Sequence, residues 1–143
     1  GKRRIVYAEG NPDISGSRQR MEGYRKAHEA AGIPVHEELI LHGEYSIDCG
    51  RYMAMQLLEN KGDFDAIMTG SDLIAIGIVF QLLKSGVRIP EDIEVIGFDD
   101  IELSRVIDPP LSTISKPHYD MAWHATIEPQ LVLRATTKKR RET

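Results

Sequence analysis

The sequence predicts an α/β fold, a parallel sheet covered by helices on both faces, and three observations predict it. From Ile5 to Phe98 short β-rich runs alternate with longer segments of helical period. The strand runs lack polar alternation, which fits strands buried on both sides. Each run ends in polar residues, and the carboxyl ends of its strands are where an open parallel sheet meets ligands.

Ile5-Val6-Tyr7-Ala8 reads as the first strand. "SGSRQRMEGYRKAHEAAG" follows as a helix opening near Ser15 or Ser17, with Gly32 as a left-handed stop. "EELILHG" is the second strand. Ser46 is a candidate N-cap for a helix running to about Lys61, with Gly62 as its stop. "FDAIMTG" is the third strand, after which Ser71 and Asp72 cap "LIAIGIVFQLLKSG". Apolar residues crowd more than one side of that helix, so it should pack on the sheet and against a second body. "RIPEDIEVIGFDD" supplies a turn and a fourth strand. Beyond it, "IELSRVIDPP" reads as a loop or short turn and "LSTIS" as a fifth strand. "HYDMAWHATIEPQLVLRATT" reads as a helix that Pro129 kinks or interrupts.

Composition narrows the function classes. The chain has 143 residues, 41% hydrophobic and 28% charged, with a formal net charge of -4, enough for a real core and the wrong sign to grip nucleic acid by field alone. The basic runs Lys2-Arg3-Arg4 and Lys138 to Arg141 read as solvated ends. Cys49 is the one cysteine, which excludes an internal disulfide and a CxxC metal site. No apolar run reaches the roughly 18 residues that span a bilayer, so a cytoplasmic location and no membrane partner are expected. His28, His36, His42, His118 and His124 have no HExxH spacing. With no G-x-S-x-G elbow and no P-loop either, no enzyme, metal or cofactor is expected.

The polar strand ends are Glu9-Gly10, Glu44-Tyr45, Ser71-Asp72 and Asp99-Asp100, and on one rim they would make a site. A carboxylate buried there without partners would cost several kcal/mol, so these acids should be wet or hydrogen-bonded. Adjacent aspartates at a strand end also occur in phosphoacceptor receiver domains. Here the pair follows the last repeating strand and no suitable lysine follows strand four, which weighs against that reading.

"MTGSDLIAIGIVFQLLKSGVRIPEDIEVIGFDDIELSRVIDPPLSTI" resembles the effector-binding domain of the lactose-repressor (LacI/GalR) family of bacterial transcription regulators. The match runs through Asp72, Gly86, Pro90, Asp92, the Gly97-Phe98-Asp99-Asp100 tetrad and Pro109-Pro110. "SRQRMEGYRKAHEAAGI" and "GEYSIDCG" are similar to the family's helix after strand one and turn after strand two. The resemblance implies a three-layer α/β/α, periplasmic-binding-protein-like fold, one lobe of two, closing on a small effector. Residues 1–111 would be the carboxyl-terminal lobe, and 112–143 a strand and terminal helix crossing back to the first lobe. That lobe and the DNA-reading headpiece have no counterpart in these residues, so operator DNA would be bound only through the headpiece.

Position by position, the resemblance assigns effector contacts to Arg20, Tyr45, Ser71 and Asp99, with Arg18 as substitute for Arg20 in a shifted register. A guanidinium fork can donate twice to hydroxyls, a tyrosine face can stack on a sugar or base, and a carboxylate can accept two hydroxyls. Arg20 and Asp99 would form a bipolar clamp for a polyhydroxyl ligand. Asp72 would be the helix cap and a contact between lobes, and Glu9 an acidic departure able to alter preference. Ile74, Ile78, Val106 and Ile107 are the expected two-fold interface of a homodimer. Trp123 and Pro129 depart from the family pattern, so a tail without its lobe should be mobile or docked on a neighbouring molecule. A sugar-binding protein serving transport would present the same cleft.

Overall fold

A computed structural model describes residues 1–60, 62–116 and 128–139. The elements are β1 (Ile5–Glu9), α1 (Ser15–Ala31), a 3₁₀ turn (Glu37–Leu39), β2 (Ile40–His42), α2 (Ile47–Glu59), β3 (Ala66–Thr69), α3 (Asp72–Lys84), β4 (Glu94–Phe98), α4 (Leu103–Val106), β5 (Ser112–Ser115) and β6 (Gln130–Val132). They form one sheet in the order β2-β1-β3-β4-β5-β6, parallel up to β5 and antiparallel at β6. The parallel order carries the ends of β1, β3, β4 and β5 to one edge.

Helix boundaries follow local chemistry. Gly32 ends α1 at φ 65°, where its lack of a Cβ removes the steric penalty, and its N–H bonds back to Glu29. Ser46 caps α2 by accepting the Cys49 N–H at 3.1 Å. The chain reaches α1 with Ile14 at the cap position, where no side chain serves the free amides. α2 ends at Glu59, one turn short of Gly62, and Lys61 lies outside the described residues.

Two layers of packing hold the sheet. Val6, Ala8, Ile67 and Val95 pack with Met53 and Leu57 of α2 and Ile74, Ile78 and Leu82 of α3 in one buried cluster. α2 and α3 lie close because Gly50 and Gly77 face each other's backbones. A Cβ would come within 2.1 Å of the Ile74 carbonyl oxygen at Gly50 and within 2.0 Å of that of Ile47 at Gly77. On the other face Tyr7 stacks on Tyr24 of α1 with ring centroids 4.9 Å apart, and the Tyr24 hydroxyl donates to the Ile5 carbonyl. α1 covers only this side of its face. Met68 and Ile96, further along the sheet, are half-buried, so burial alternates along β3 and β4 although these positions are apolar.

Three expectations are corrected. Ile74 and Ile78 are fully buried in the chain's own core, where they cannot meet a partner, because the i, i+4 spacing that joins them faces α2 and the sheet. Ile107 is half-buried against the same core, and of the four expected interface residues only Val106 is exposed. Of the helix expected from His118 to Thr137 with a break or kink at Pro129, the part after the proline is instead a strand over Gln130–Val132, pairing Thr113 with Val132 and Ile114 with Leu131. A proline ends helical hydrogen bonding, and the open edge of β5 offers the following residues backbone partners instead.

The described tail is therefore docked on its own chain. Thr136 accepts from Ser112 N–H at 2.8 Å and donates to the Val95 carbonyl at 2.7 Å, while Arg134 donates to Leu111 O at 2.8 Å. The part of the expected helix at residues 118–127, Trp123 included, lies outside the described residues.

Candidate functional site

The strand ends build a rim with two charged centres that both approach the Phe98 ring. At the end of β1, Glu9 is the hub. Its carboxylate accepts from Arg20 Nε at 3.0 Å and Nη2 at 3.2 Å, from the Gly10 N–H at 2.8 Å, from the Tyr45 hydroxyl at 2.7 Å, and from the Tyr7 hydroxyl. Arg20 Nη2 also donates to the Tyr45 hydroxyl at 2.6 Å, and Ser17 and Tyr45 share a hydroxyl contact. Glu9 fits because Gly70 leaves room: a Cβ there would sit 1.9 Å from Glu9 Oε1.

Burial and pairing oppose each other at this centre. Burial pushes the Glu9 carboxyl up, but the hydrogen bonds from Arg20, Tyr7, Gly10 and Tyr45 outweigh it and hold the group below its ordinary value. Burial also favours the neutral form of Arg20, and its bonds and attraction to Glu9 reverse that, raising its pKa. The Tyr7 hydroxyl is pushed strongly upward by burial and by the neighbouring carboxylate, so it stays a donor.

The second centre sits at the end of β4. Asp99 and Asp100 both have positive φ, 111° and 55°, a region that side chains other than glycine seldom occupy. Asp72 holds this turn from beneath, accepting the Ile101 N–H at 2.9 Å and the Thr113 hydroxyl at 2.6 Å. Burial, with Asp99 and Asp100 nearby, raises its pKa. Asp100 is nearly covered and is bound by Arg105 at 2.9 Å and Arg134 at 2.6 Å. Burial raises the Asp100 carboxyl and those two arginines more than compensate, so its pKa falls. Asp99 is left at the rim, paired with Lys116 at 3.2 Å. The Arg20 guanidinium lies 5.0 Å and the Lys116 ammonium 4.9 Å from the Phe98 ring centroid, so one aromatic ring joins the two centres.

Of the expected contacts, the structure brings Glu9, Arg20 and Tyr45 into one bonded group, with Asp99 following Phe98, whose ring Arg20 approaches. Ser71 is buried and caps α3, accepting the Ile74 N–H at 3.3 Å. Asp72 follows it as the first helical residue, so the cap is Ser71 and Asp72 is a strap between α3 and the β4–β5 turn, a correction to the expected division. Arg18 is exposed and lines an open depression of about 410 Å³ beside the rim, with Pro12, Ser17, Met21 and His42. Sequence reasoning missed Ser17, Phe98 and Lys116. Ser17 lies one helical turn before Arg20 and Phe98 next to Asp99, and both spacings were available; Lys116 gave no signal beyond its place at a strand end.

Among the described residues no three His, Cys, Asp or Glu side chains form a group able to hold a metal ion, and no helix is long and apolar enough to cross a membrane.

The sequence profile of the periplasmic binding protein-like domain matches residues 1–140. The chain is 35% identical to the HTH-type transcriptional regulator CelR of Thermobifida fusca over 117 residues, which is 82% of this chain and 34% of that protein. Among solved structures, the CelR–cellobiose complex superposes with a TM-score of 0.86 at 28% identity, over 95% of this chain and 47% of that one. The lac repressor dimer bound to operator and the anti-inducer ONPF superposes with a TM-score of 0.86 at 25% identity, over 96% of this chain and 53% of that one. The chain thus spans about a third of the length of its curated relatives and about half of the solved chains. It belongs to the periplasmic binding protein-like domain family, as an effector-binding domain of the LacI/GalR regulators.

Proposed function

We propose that this chain is the sensing lobe of a bacterial transcription regulator working in the cytoplasm. It binds a small polar, sugar-like molecule against its rim, with a companion lobe closing over it. Occupancy changes the grip of a DNA-reading headpiece on its operator. The observation that carries this reading is the convergence of Arg20, Tyr45, Phe98 and Asp99 at the ends of three strands. Aromatic faces between a donor and an acceptor suit a ring that is apolar on its faces and hydroxylated at its edge.

The test uses the full-length protein on operator DNA. Addition of sugars and nucleosides one at a time should find a compound that changes operator affinity, and Asp99→Ala should abolish that response while DNA binding remains. An unaltered response in Asp99→Ala would refute the assignment.

The assembly we propose is a homodimer through the outward sides of α3 and α4. Phe80, Leu83, Leu103 and Val106 are exposed apolar residues on those two elements, a pattern that marks an interaction surface. Val106→Glu should shift the protein toward monomer in sedimentation equilibrium, with its thermal stability retained.

A further inference from the structure

The two charged centres differ in how far their charges are available, and this restricts which ligands the rim accepts. The Glu9 side chain is 1% exposed and Arg20 16%, joined by two N–H donors, whereas Asp99 and Lys116 are 39% and 53% exposed and meet at one contact. An anion reaching for Arg20 has two routes. It can displace Glu9, stranding a buried carboxylate without its countercharge, or it can share the fork and set a second negative charge beside a buried one. Lys116 attracts an anion only weakly, because its ammonium is half in water and the Asp99 carboxylate 3.2 Å away repels the newcomer. A neutral hydroxyl group meets neither obstacle, since it can donate to Asp99 and accept from the remaining guanidinium N–H groups.

We propose that the site takes uncharged, hydroxyl-rich small molecules and rejects their phosphorylated or carboxylated counterparts, with Glu9 as the specificity-determining residue. This rests on the rim being the effector site. Glu9 acts by occupying Arg20, so that a position able to capture anions serves instead as an oriented donor with its charge already neutralised.

The experiment is calorimetric titration of the full-length protein with glucose, ribose, cellobiose and adenosine, each neutral monomer beside its phosphate ester: glucose 6-phosphate, ribose 5-phosphate and AMP. The neutral compound that binds should exceed its phosphorylated form by about 100-fold or more. In Glu9→Gln that ratio should fall by about 10-fold or more, as the guanidinium becomes free to pair. Inorganic phosphate should raise the melting temperature of Glu9→Gln more than that of wild type, and Glu9→Gln/Arg20→Gln should lose the gain. Equal or tighter binding of a phosphate ester by wild type overturns the inference and leaves the rim as effector site. If nothing binds, or the tightest compound binds Asp99→Ala and Arg20→Ala undiminished, the effector-site reading fails. The phosphate arm then still decides the charge argument: equal stabilisation of wild type and Glu9→Gln refutes it. Should Glu9→Gln not fold, the wild-type ratios alone decide.

Discussion

The two ends of the rim carry the same pair of charges in opposite settings. At the end of β1, a buried Glu9 and a mostly covered Arg20 are doubly bonded, with Tyr7, Tyr45 and Ser17 around them. At the end of β4, Asp99 and Lys116 are half in water, held by one contact, on backbone that glycine would occupy more easily. A buried pair is costly to break and contributes shape, while an exposed pair contributes about 0–1 kcal/mol and leaves its acid open to a ligand. The lesson is that of the charges most visible in the sequence, the Asp99-Asp100 doublet, only Asp99 is available, Asp100 being held by two arginines, and the charge hidden at Glu9 decides what Arg20 can do.

The comparison breaks most visibly at Arg20. Arg20→Ala should cost about 3 kcal/mol in urea denaturation, near the low end for a severed buried pair because Tyr7, Tyr45 and the Gly10 amide still serve Glu9. A loss below about 1 kcal/mol would mean that the pair is effectively exposed.

Asp72 is next, as the strap beneath the strained turn. Asp72→Ala leaves the Ile101 amide and the Thr113 hydroxyl without their acceptor, at a cost of about 2 kcal/mol. Asp72→Asn can keep both bonds, accepting the Ile101 amide through its oxygen and donating to the Thr113 hydroxyl, so it should cost less than about 1 kcal/mol.

Acid titration sharpens the contrast by sign. Glu9 has a folded pKa held below its unfolded value, so its contribution to stability is present above that unfolded value and is lost as pH falls through the folded one. Asp100 behaves likewise. Asp72 is raised, so its contribution is present below its unfolded value and lost as pH rises through the folded one. Glu9→Gln should therefore flatten the acid limb of the stability curve, while Asp72→Asn should gain on wild type as pH rises from acid toward neutral. Chemical denaturation from acid to neutral pH checks both directions.

The smallest effect belongs to Asp99. Asp99→Gly removes an exposed ion pair and relieves a φ of 111°, so stability should change by less than about 1 kcal/mol, in the stabilising direction. Ligand response should vanish in the same variant, separating function from fold.

How much of this could be read in advance depended on whether a residue's role lay in its own spacing or in contacts brought by other strands. The parallel order and the rim followed from alternating apolar runs and polar strand ends. Arg20, Tyr45 and Asp99 followed from the resemblance and stand at that rim. Glu9 was visible as an acid at a strand end, but its role depends on Tyr7, Arg20 and Tyr45 meeting across β1, α1 and the turn before α2, a tertiary convergence that no local pattern announces. Ile74 and Ile78 were assigned outward from the resemblance, which gives the helix a two-fold contact but does not say which of its apolar sides makes it. Tight packing at Gly50 and Gly77 decides which side α2 takes and leaves Phe80 and Leu83 outside. The strand at Gln130–Val132 escaped because its helical reading ignored the open edge of β5, a partner that exists only once the sheet is built.

The most direct measurement is a pair of double-mutant cycles on the two ion pairs, Glu9→Gln with Arg20→Gln and Asp99→Asn with Lys116→Gln, read as urea unfolding free energies at neutral pH. Coupling above about 1.5 kcal/mol for the first pair and below about 0.5 kcal/mol for the second is the predicted result. Equal coupling in the two cycles, or the larger value at Asp99 and Lys116, would contradict the account.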